Sequence, residues 1–442
     1  QSVAAQLAIL LIVFCAFCAQ RDLLQEKAGD MWGAFGYLAA GHAVFVAALT
    51  GFAAALRLGA PEATAAVIRP GVASSGMMRQ YIERARGRPF RHLHPVMEKL
   101  LGETFGVMVY QEDVMRLAYH VGGLSWEDGN LMRKAMSGKR GGVPVERYME
   151  KFLDGAARRG LPPDVAREIG RQMASFAGYS FCKAHSAAFA EVSMRALALR
   201  AYFPAEFMAA VLSNHGGYYG TSAYVSECRR MGLRVLAPSV NASEVRCTGS
   251  GRSVRVGLGE VAKLGAETAG RIVDERRVGG AFASLEEFLL RMRGRIAKDE
   301  TEGLVMAGAL DEFERDGNRR LLLWECARLS ASRVPPLDGS RALPSIGFDR
   351  RAKAAMEVEA LGFPLCCHVM ELVRPSLAKL RPVEARSLTA LRGRKVTVAG
   401  MVVTLKPIST SKGEAMSFVS MEDETDIFEV TLFPSAYRKS RR

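Results

Sequence analysis

The sequence predicts a mainly α-helical, multidomain chain that ends in a small, incomplete β-barrel. Three observations predict it. Capped segments with a 3.6-residue apolar period occupy residues 125–213. Two glycine-turn helical pairs follow one another between Val254 and Trp324. Residues 390–442 alternate apolar and polar as strands do. A length of 442 residues implies about three or four domains, and 49% hydrophobic content supports ordinary globular packing.

Residues 1–66 stand apart. Val3 to Ala19 carries no charged residue, and Met31 to Leu56 carries none except the titratable His42. The second run is long enough to cross a bilayer and the first is marginal. No basic segment precedes the first run, so it is not a clean signal peptide. By composition the pair reads as a membrane hairpin or a buried helical pair. The chain starts at Gln1 and closes on SAYRKSRR, and both ends look cut.

The elements after Pro61 follow from local chemistry. Ser125 caps a helix to Ala135, with Asp128 at the capping-box position and Gly138 after its end. Pro162-Pro163-Asp164 opens a second, with Val165, Ile169, Met173 and Phe176 on one face and a stop at Gly178. A third runs from about Ser186, with Phe189, Val192, Ala196, Leu199 and Phe203 at helical spacing. Pro204 breaks it and opens AEFMAAVL. The helical pairs turn on Lys263-Leu264-Gly265-Ala266 and on Gly308, and a Pro, Ser and Gly linker follows Pro335. KVTVAGMVVTL, AMSFVSMED and DIFEVTLFP then read as three strands, the first part of an OB-type barrel. Their turns are Ser411-Lys412-Gly413 and EDETD.

A net charge of +14 favours an anionic partner, because each cation that neutralises a phosphate releases a condensed counterion. Nucleic acid comes first and an acidic membrane surface second; a basic protein with no polyanion partner is the plain alternative. Eight scattered cysteines do not form a secreted disulfide framework. Cys15 and Cys18 lack a second pair, and Cys366 and Cys367 are adjacent, so neither makes a zinc site. A reducing compartment fits best.

The stretch GYSFCKAHSAAF, 178–189, places Lys183, His185 and Ser186 in a short connection at a helix start. Open N–H groups and the positive dipole end there receive anions. A phosphate cradle and a capped structural loop are equally good readings. A Cys182 nucleophile lacks a facing base and an orienting group, and Cys182 with His185 is too few ligands for a metal. In LMRKAMSGKR, Arg133, Lys134, Lys139 and Arg140 surround a helix end with no acid between them, which suits a polyanion or simply the helix dipole. Glycines at 265 and 308 would let backbone amides approach phosphates, so tandem hairpins before a barrel favour non-sequence-specific DNA binding. Glu112-Asp113 and Glu422-Asp423-Glu424 are the nearest carboxylate groups for two-metal catalysis, and each reads more simply as a solvated or structural acid.

Four stretches resemble the bacterial DNA polymerase III alpha subunit, the C-family replicative polymerases. They are HPVMEKLLGETFGVMVYQEDVMRLA, LMRKAMSGK, FAGYSFCKAHSAAFAEVSMRALALRAYFPAEFMAAVLSN and MGLRVLAPSVNASE. The likeness starts at about Val67, with IRPGVASSGMMRQYIERARG, and runs to the end. SFVSMEDETDIFEVTLFP and SNHGGYY resemble the error-prone type more closely. The resemblance implies polymerase fingers over 67–235, a tandem helix-hairpin-helix DNA binder over 236–328, a linker and small helical segment over 329–389, and a truncated OB domain over 390–442. It implies nucleotide binding by Arg133, Lys134, Lys183, His185 and Ser186, with Phe189 near the nascent base pair. DNA contacts would fall on Lys139, Arg140, Lys263, Gly265, Gly308 and Lys412. Cys182 becomes a packing residue.

The resemblance also implies Mg2+, held by palm aspartates upstream of these motifs. No counterpart of that palm, or of the amino-terminal PHP domain, is found, so no catalytic or metal residue is assigned. The implied partners are primer-template DNA, deoxynucleoside triphosphates, the sliding clamp and other replication or repair proteins, in the cytoplasm. No clear clamp-binding motif lies between 326 and 350. Residues 1–66 replace a family segment with Ala, Leu and Val, as a frameshift in a GC-rich gene would. The expectation is a DNA-directed DNA polymerase, inactive as this chain alone. The alternatives are an inert DNA-binding remnant or scaffold and a membrane-anchored protein.

Overall fold

The computed structural model describes residues 77–136, 145–176, 182–314, 317–330, 348–410 and 412–440. Residues 1–66, Gly138, Lys139, Arg140 and Gly178, and the readings placed on them, lie outside the described residues. The chain divides into two compact units, with the division between Arg195 and Ala196.

The first unit is helical: α1 (Met77–Ala85), α2 (Pro95–Leu101), α3 (Gln111–His120), α4 (Trp126–Met136), α5 (Val145–Arg158), α6 (Pro163–Phe176) and the start of α7 (Lys183–Tyr202). The Ser125 hydroxyl accepts the Asp128 N–H at 3.0 Å, which starts α4 where the capping pattern puts it. Pro163 starts α6 as expected, and Ile169 and Met173 are fully buried with Leu101, Leu117, Met132 and Phe152. Each such burial stabilises by about 1.5–3 kcal/mol. Gly155 lets α5 lie on the turn after α3, since a Cβ there would stand 1.7 Å from the Gly122 carbonyl oxygen.

One boundary differs. Helix α7 begins at Lys183, not near Ser186, so the lysine and histidine belong to its first turn and not to a connection. Its apolar row stays out of both cores: Val192, Leu199, Tyr202 and Phe203 are exposed.

The second unit opens with α8 (Pro204–Ser213) and α9 (Thr221–Arg230). A small sheet that the sequence reading missed comes next: β1 (Arg234–Leu236), β2 (Thr248–Ser250) and β3 (Ser253–Arg255), in the order β1-β3-β2. Strands of three residues are too short to show alternation. The hairpin region holds α10 (Ala266–Gly279), α11 (Leu285–Arg291), α12 (Lys298–Ala307) and α13 (Arg319–Ser330). The first arm of the first expected pair is a single 3-10 turn, Leu258–Glu260, where a helix was expected. Leu258, Ile272, Phe288 and Leu304 are fully buried in one core with Val254 of β3.

Helices α14 (Arg350–Leu361) and α15 (Val369–Leu377) precede β4 (Met401–Ser409), β5 (Ala415–Glu422), β6 (Ile427–Leu432) and α16 (Pro434–Ser440). The three predicted strands form one antiparallel sheet, β4-β5-β6, with Phe418 opposite Lys406 and Thr431. The fold is mainly α with this partial β domain. Its acids are structural. Glu422 is fully buried, and the Ser226 hydroxyl and Arg230 guanidinium donate to it at 3.0 and 3.2 Å. Asp423 accepts the Ala385 N–H at 2.8 Å, and Glu424 pairs with Arg374. Buried Cys228 and Cys326 are free thiols that burial pushes up to about 12. Among the described residues, no single helix is long and apolar enough to cross a membrane.

Candidate functional site

In the first unit two of the predicted residues, Arg133 and Lys183, are bonded to the start of α3. The Asp113 carboxylate accepts the Val109 and Tyr110 N–H groups at 3.0 and 2.9 Å and fixes the turn that presents Tyr110, Gln111 and Glu112. Burial pushes the Asp113 carboxyl up to about 6, against those two donors, which favour its charged form. Gln111 then accepts from the Arg133 guanidinium at 2.7 Å, and Asn130 accepts from the same side chain at 3.1 and 2.9 Å. Both acceptors are neutral, so Arg133 is aimed without being neutralised. Lys134, next to it on α4, is exposed.

Glu112 reaches the other helix. One of its oxygens accepts the Lys183 N–H at 3.0 Å and supplies the missing cap of α7. The Lys183 ammonium bonds Glu103 Oε1 at 2.5 Å and lies 5.2 Å from the centre of the Tyr110 ring. His185 is exposed and its ring meets Phe189 edge-on at 4.2 Å. Ser186 is fully buried, and among the described residues its hydroxyl has no hydrogen-bond partner. Two basic residues on two helices are therefore fastened to consecutive residues of a third. The arrangement offers cations to a polyanion, although internal carboxylates already hold one cation and one amide.

In the second unit Lys263 and Gly265 are exposed at the first hairpin. Positive φ falls on Lys263, at 70°, whereas Gly265 has φ −65° and serves as the N-cap of α10. The Gly265 N–H is engaged by Glu300 Oε1 at 2.9 Å. Glu300 Oε2 accepts the Ala297 N–H at 2.8 Å, so one carboxylate caps both α10 and α12. Partial burial works against charge on Glu300, but these donors outweigh it and hold its carboxyl below the usual range.

Gly308 ends α12 with φ 88° and is buried, with Arg319 against it. Arg319 itself is buried, bonded twice to Asp311 at 2.8 Å and 3.2 Å from Glu357. The second glycine thus meets an internal guanidinium. Lys412 is exposed beside the turn between β4 and β5. Among the described residues, no group of three or more His, Cys, Asp or Glu could hold a metal ion.

Comparison with known proteins matches two regions of the chain. A model of the bacterial DNA polymerase III alpha subunit finger domain matches residues 62–160, and a helix-hairpin-helix motif model matches residues 232–322. The error-prone DNA polymerase of Mycobacterium bovis is 32% identical over 387 residues, covering 85% of this chain and 35% of that protein. The DNA polymerase III subunit alpha of Aquifex aeolicus is 30% identical over 383 residues, covering 86% and 33%. These matches support a place in the bacterial DNA polymerase III alpha family.

The chain spans about a third of the length of the curated polymerase III alpha relatives it matches. Arg133 and Lys134 fall inside the finger-domain match, and Lys183 to Phe189 follow it. Lys263, Gly265 and Gly308 fall inside the helix-hairpin-helix match, and Lys412 lies beyond it. Sequence reasoning missed the positioning residues Glu103, Tyr110, Gln111 and Glu300. Glu300 stands three residues after the N-cap of α12, but that N-cap is Ala297, which lacks the side-chain acceptor of a capping box, so the sequence carries no clear signal for it. Glu103 and Glu112 gave none, being 80 and 71 residues from Lys183.

Proposed function

We propose that the chain serves DNA-templated DNA synthesis. Residues 67–235 act as fingers that receive an incoming deoxynucleoside triphosphate, and 236–328 as a tandem helix-hairpin-helix grip on the primer-template. Residues 329–389 connect these to 390–442, the first strands of an OB-type domain. The observation that carries the reading is the fastening of Arg133 and Lys183 to the adjacent residues Gln111 and Glu112. A triphosphate needs several cations in fixed directions, and this shared anchor aims the Arg133 guanidinium and fixes the backbone of Lys183.

Within that reading Arg133 makes a forked contact to phosphate oxygens and Lys183 adds a point charge. Lys134 and His185, both exposed, add further donors, and Phe189 packs behind His185. Lys139 and Arg140 are proposed as DNA contacts. Lys263 is the cation of the first hairpin and Lys412 that of the barrel edge. Gly265 and Gly308 shape their helix ends, with one amide held by Glu300 and one face filled by Arg319.

The family chemistry implies Mg2+, which would activate the primer hydroxyl and stabilise the departing pyrophosphate. The described residues do not fit that ion. Glu112 and Asp113 are spent on backbone N–H groups, and no cluster of donors stands near them. The sliding clamp and other replication or repair proteins complete the proposed partner set, and the cytoplasm is the proposed compartment.

Calorimetric titration of the 442-residue chain with deoxyadenosine triphosphate tests the reading. Arg133→Ala or Lys183→Ala weakens binding about tenfold, as loss of a charged hydrogen bond does. Unaltered binding in either variant would defeat it.

A further inference from the structure

The nucleotide reading leaves one contact unexplained. The Lys183 ammonium, the cation it assigns to phosphate, is already bonded to a carboxylate, Glu103 Oε1, at 2.5 Å. Both partners are open to water, with side chains 37% and 42% exposed. Such a pair is weak, because screening and side-chain entropy offset most of the attraction. The Tyr110 ring, 5.2 Å from the same ammonium, is buried and therefore fixed. Lys183 thus has a rigid seat and a loosely held counter-ion.

We propose that Glu103 is an internal competitor for Lys183, and that it sets the affinity of this site for polyphosphate ligands. The proposal rests on the nucleotide reading above. A triphosphate approaching Lys183 finds a carboxylate oxygen where its own oxygen must go. It has to displace that carboxylate and then remain near its charge, and both steps oppose binding. The ammonium stays over the Tyr110 ring when the carboxylate leaves, so it is delivered without a fresh search of rotamers. Glu112 does a different job: its oxygen accepts the backbone N–H of Lys183 and shapes the start of α7. Neutralising Glu103 removes the competitor while leaving the seat and the helix start in place.

A double-mutant cycle on the full 442-residue chain tests this, with calorimetric titration by deoxyadenosine triphosphate and by inorganic tripolyphosphate. The set is the unaltered chain, Glu103→Gln, Lys183→Ala and the double variant, each with a thermal melt to establish folding. Glu103→Gln tightens both ligands about two- to fivefold, the span expected of an exposed ion pair. That gain disappears when Lys183 is alanine. An equal gain in the Lys183→Ala background overturns the proposal, because the effect is then general charge and not competition. Unchanged or weaker binding in Glu103→Gln, with a loss in Lys183→Ala, overturns it while the nucleotide reading stands. No loss in Lys183→Ala removes both.

Discussion

The Glu112 carboxylate accepts the Lys183 backbone N–H at 3.0 Å, and this bond across 71 residues sets where α7 begins. Helix starts leave N–H groups without partners, and a side-chain acceptor there is typically worth about 0.5–2 kcal/mol. Glu112→Ala lowers stability by about 1 kcal/mol, and Glu112→Gln, which keeps an acceptor oxygen, loses less. Hydrogen exchange at the first turn of α7 checks the cause. Protection from Lys183 to Ser186 falls in the alanine variant; unchanged protection would mean that the cap lies elsewhere.

Asp113 gives the first unit a pH dependence of known sign. Its folded pKa, about 6, is above the ordinary carboxylate value, so its contribution is fully present below about pH 4 and is lost as pH rises to about 6. A shift of about two units corresponds to about 3 kcal/mol. Melting temperature followed from pH 4 to pH 7 reads it. Asp113→Asn abolishes this component of the slope while keeping an acceptor for the Val109 and Tyr110 N–H groups. A variant whose profile parallels that of the unaltered chain would show that the carboxyl does not titrate there.

What the sequence made legible was local. Ser125, Pro163 and the alternation in 415–432 act on neighbours a few residues away, and the structure follows each of them. The first expected strand, KVTVAGMVVTL, forms only from Met401 onward. The start of α7 was misplaced because its cap comes from α3, and no pattern within 178–189 encodes that. The sequence puts the close backbone approach of the first hairpin on Gly265, yet the left-handed residue is Lys263, whose conformation belongs to the folded turn. The cationic members of the candidate site were visible as residue types. Their anchors, Gln111 and Glu112, became visible only through distances.

Glu300 joins two helix starts through one carboxylate, so its removal leaves two donors without partners. Glu300→Ala destabilises the second unit by about 0.5–2 kcal/mol, and Glu300→Gln recovers part of that. Urea unfolding followed by far-UV circular dichroism measures it. A loss of less than about 0.5 kcal/mol would show that water replaces the carboxylate at both ends.

The central claim is that separate surfaces take the triphosphate and the DNA. It is tested most directly by titrating deoxyadenosine triphosphate and a primer-template duplex, each in its own experiment, into Arg133→Ala and Lys263→Glu. Arg133→Ala loses triphosphate affinity about tenfold and keeps most of its duplex affinity, while Lys263→Glu does the reverse and flattens the salt dependence of duplex binding. Equal losses of both ligands in both variants would contradict the account.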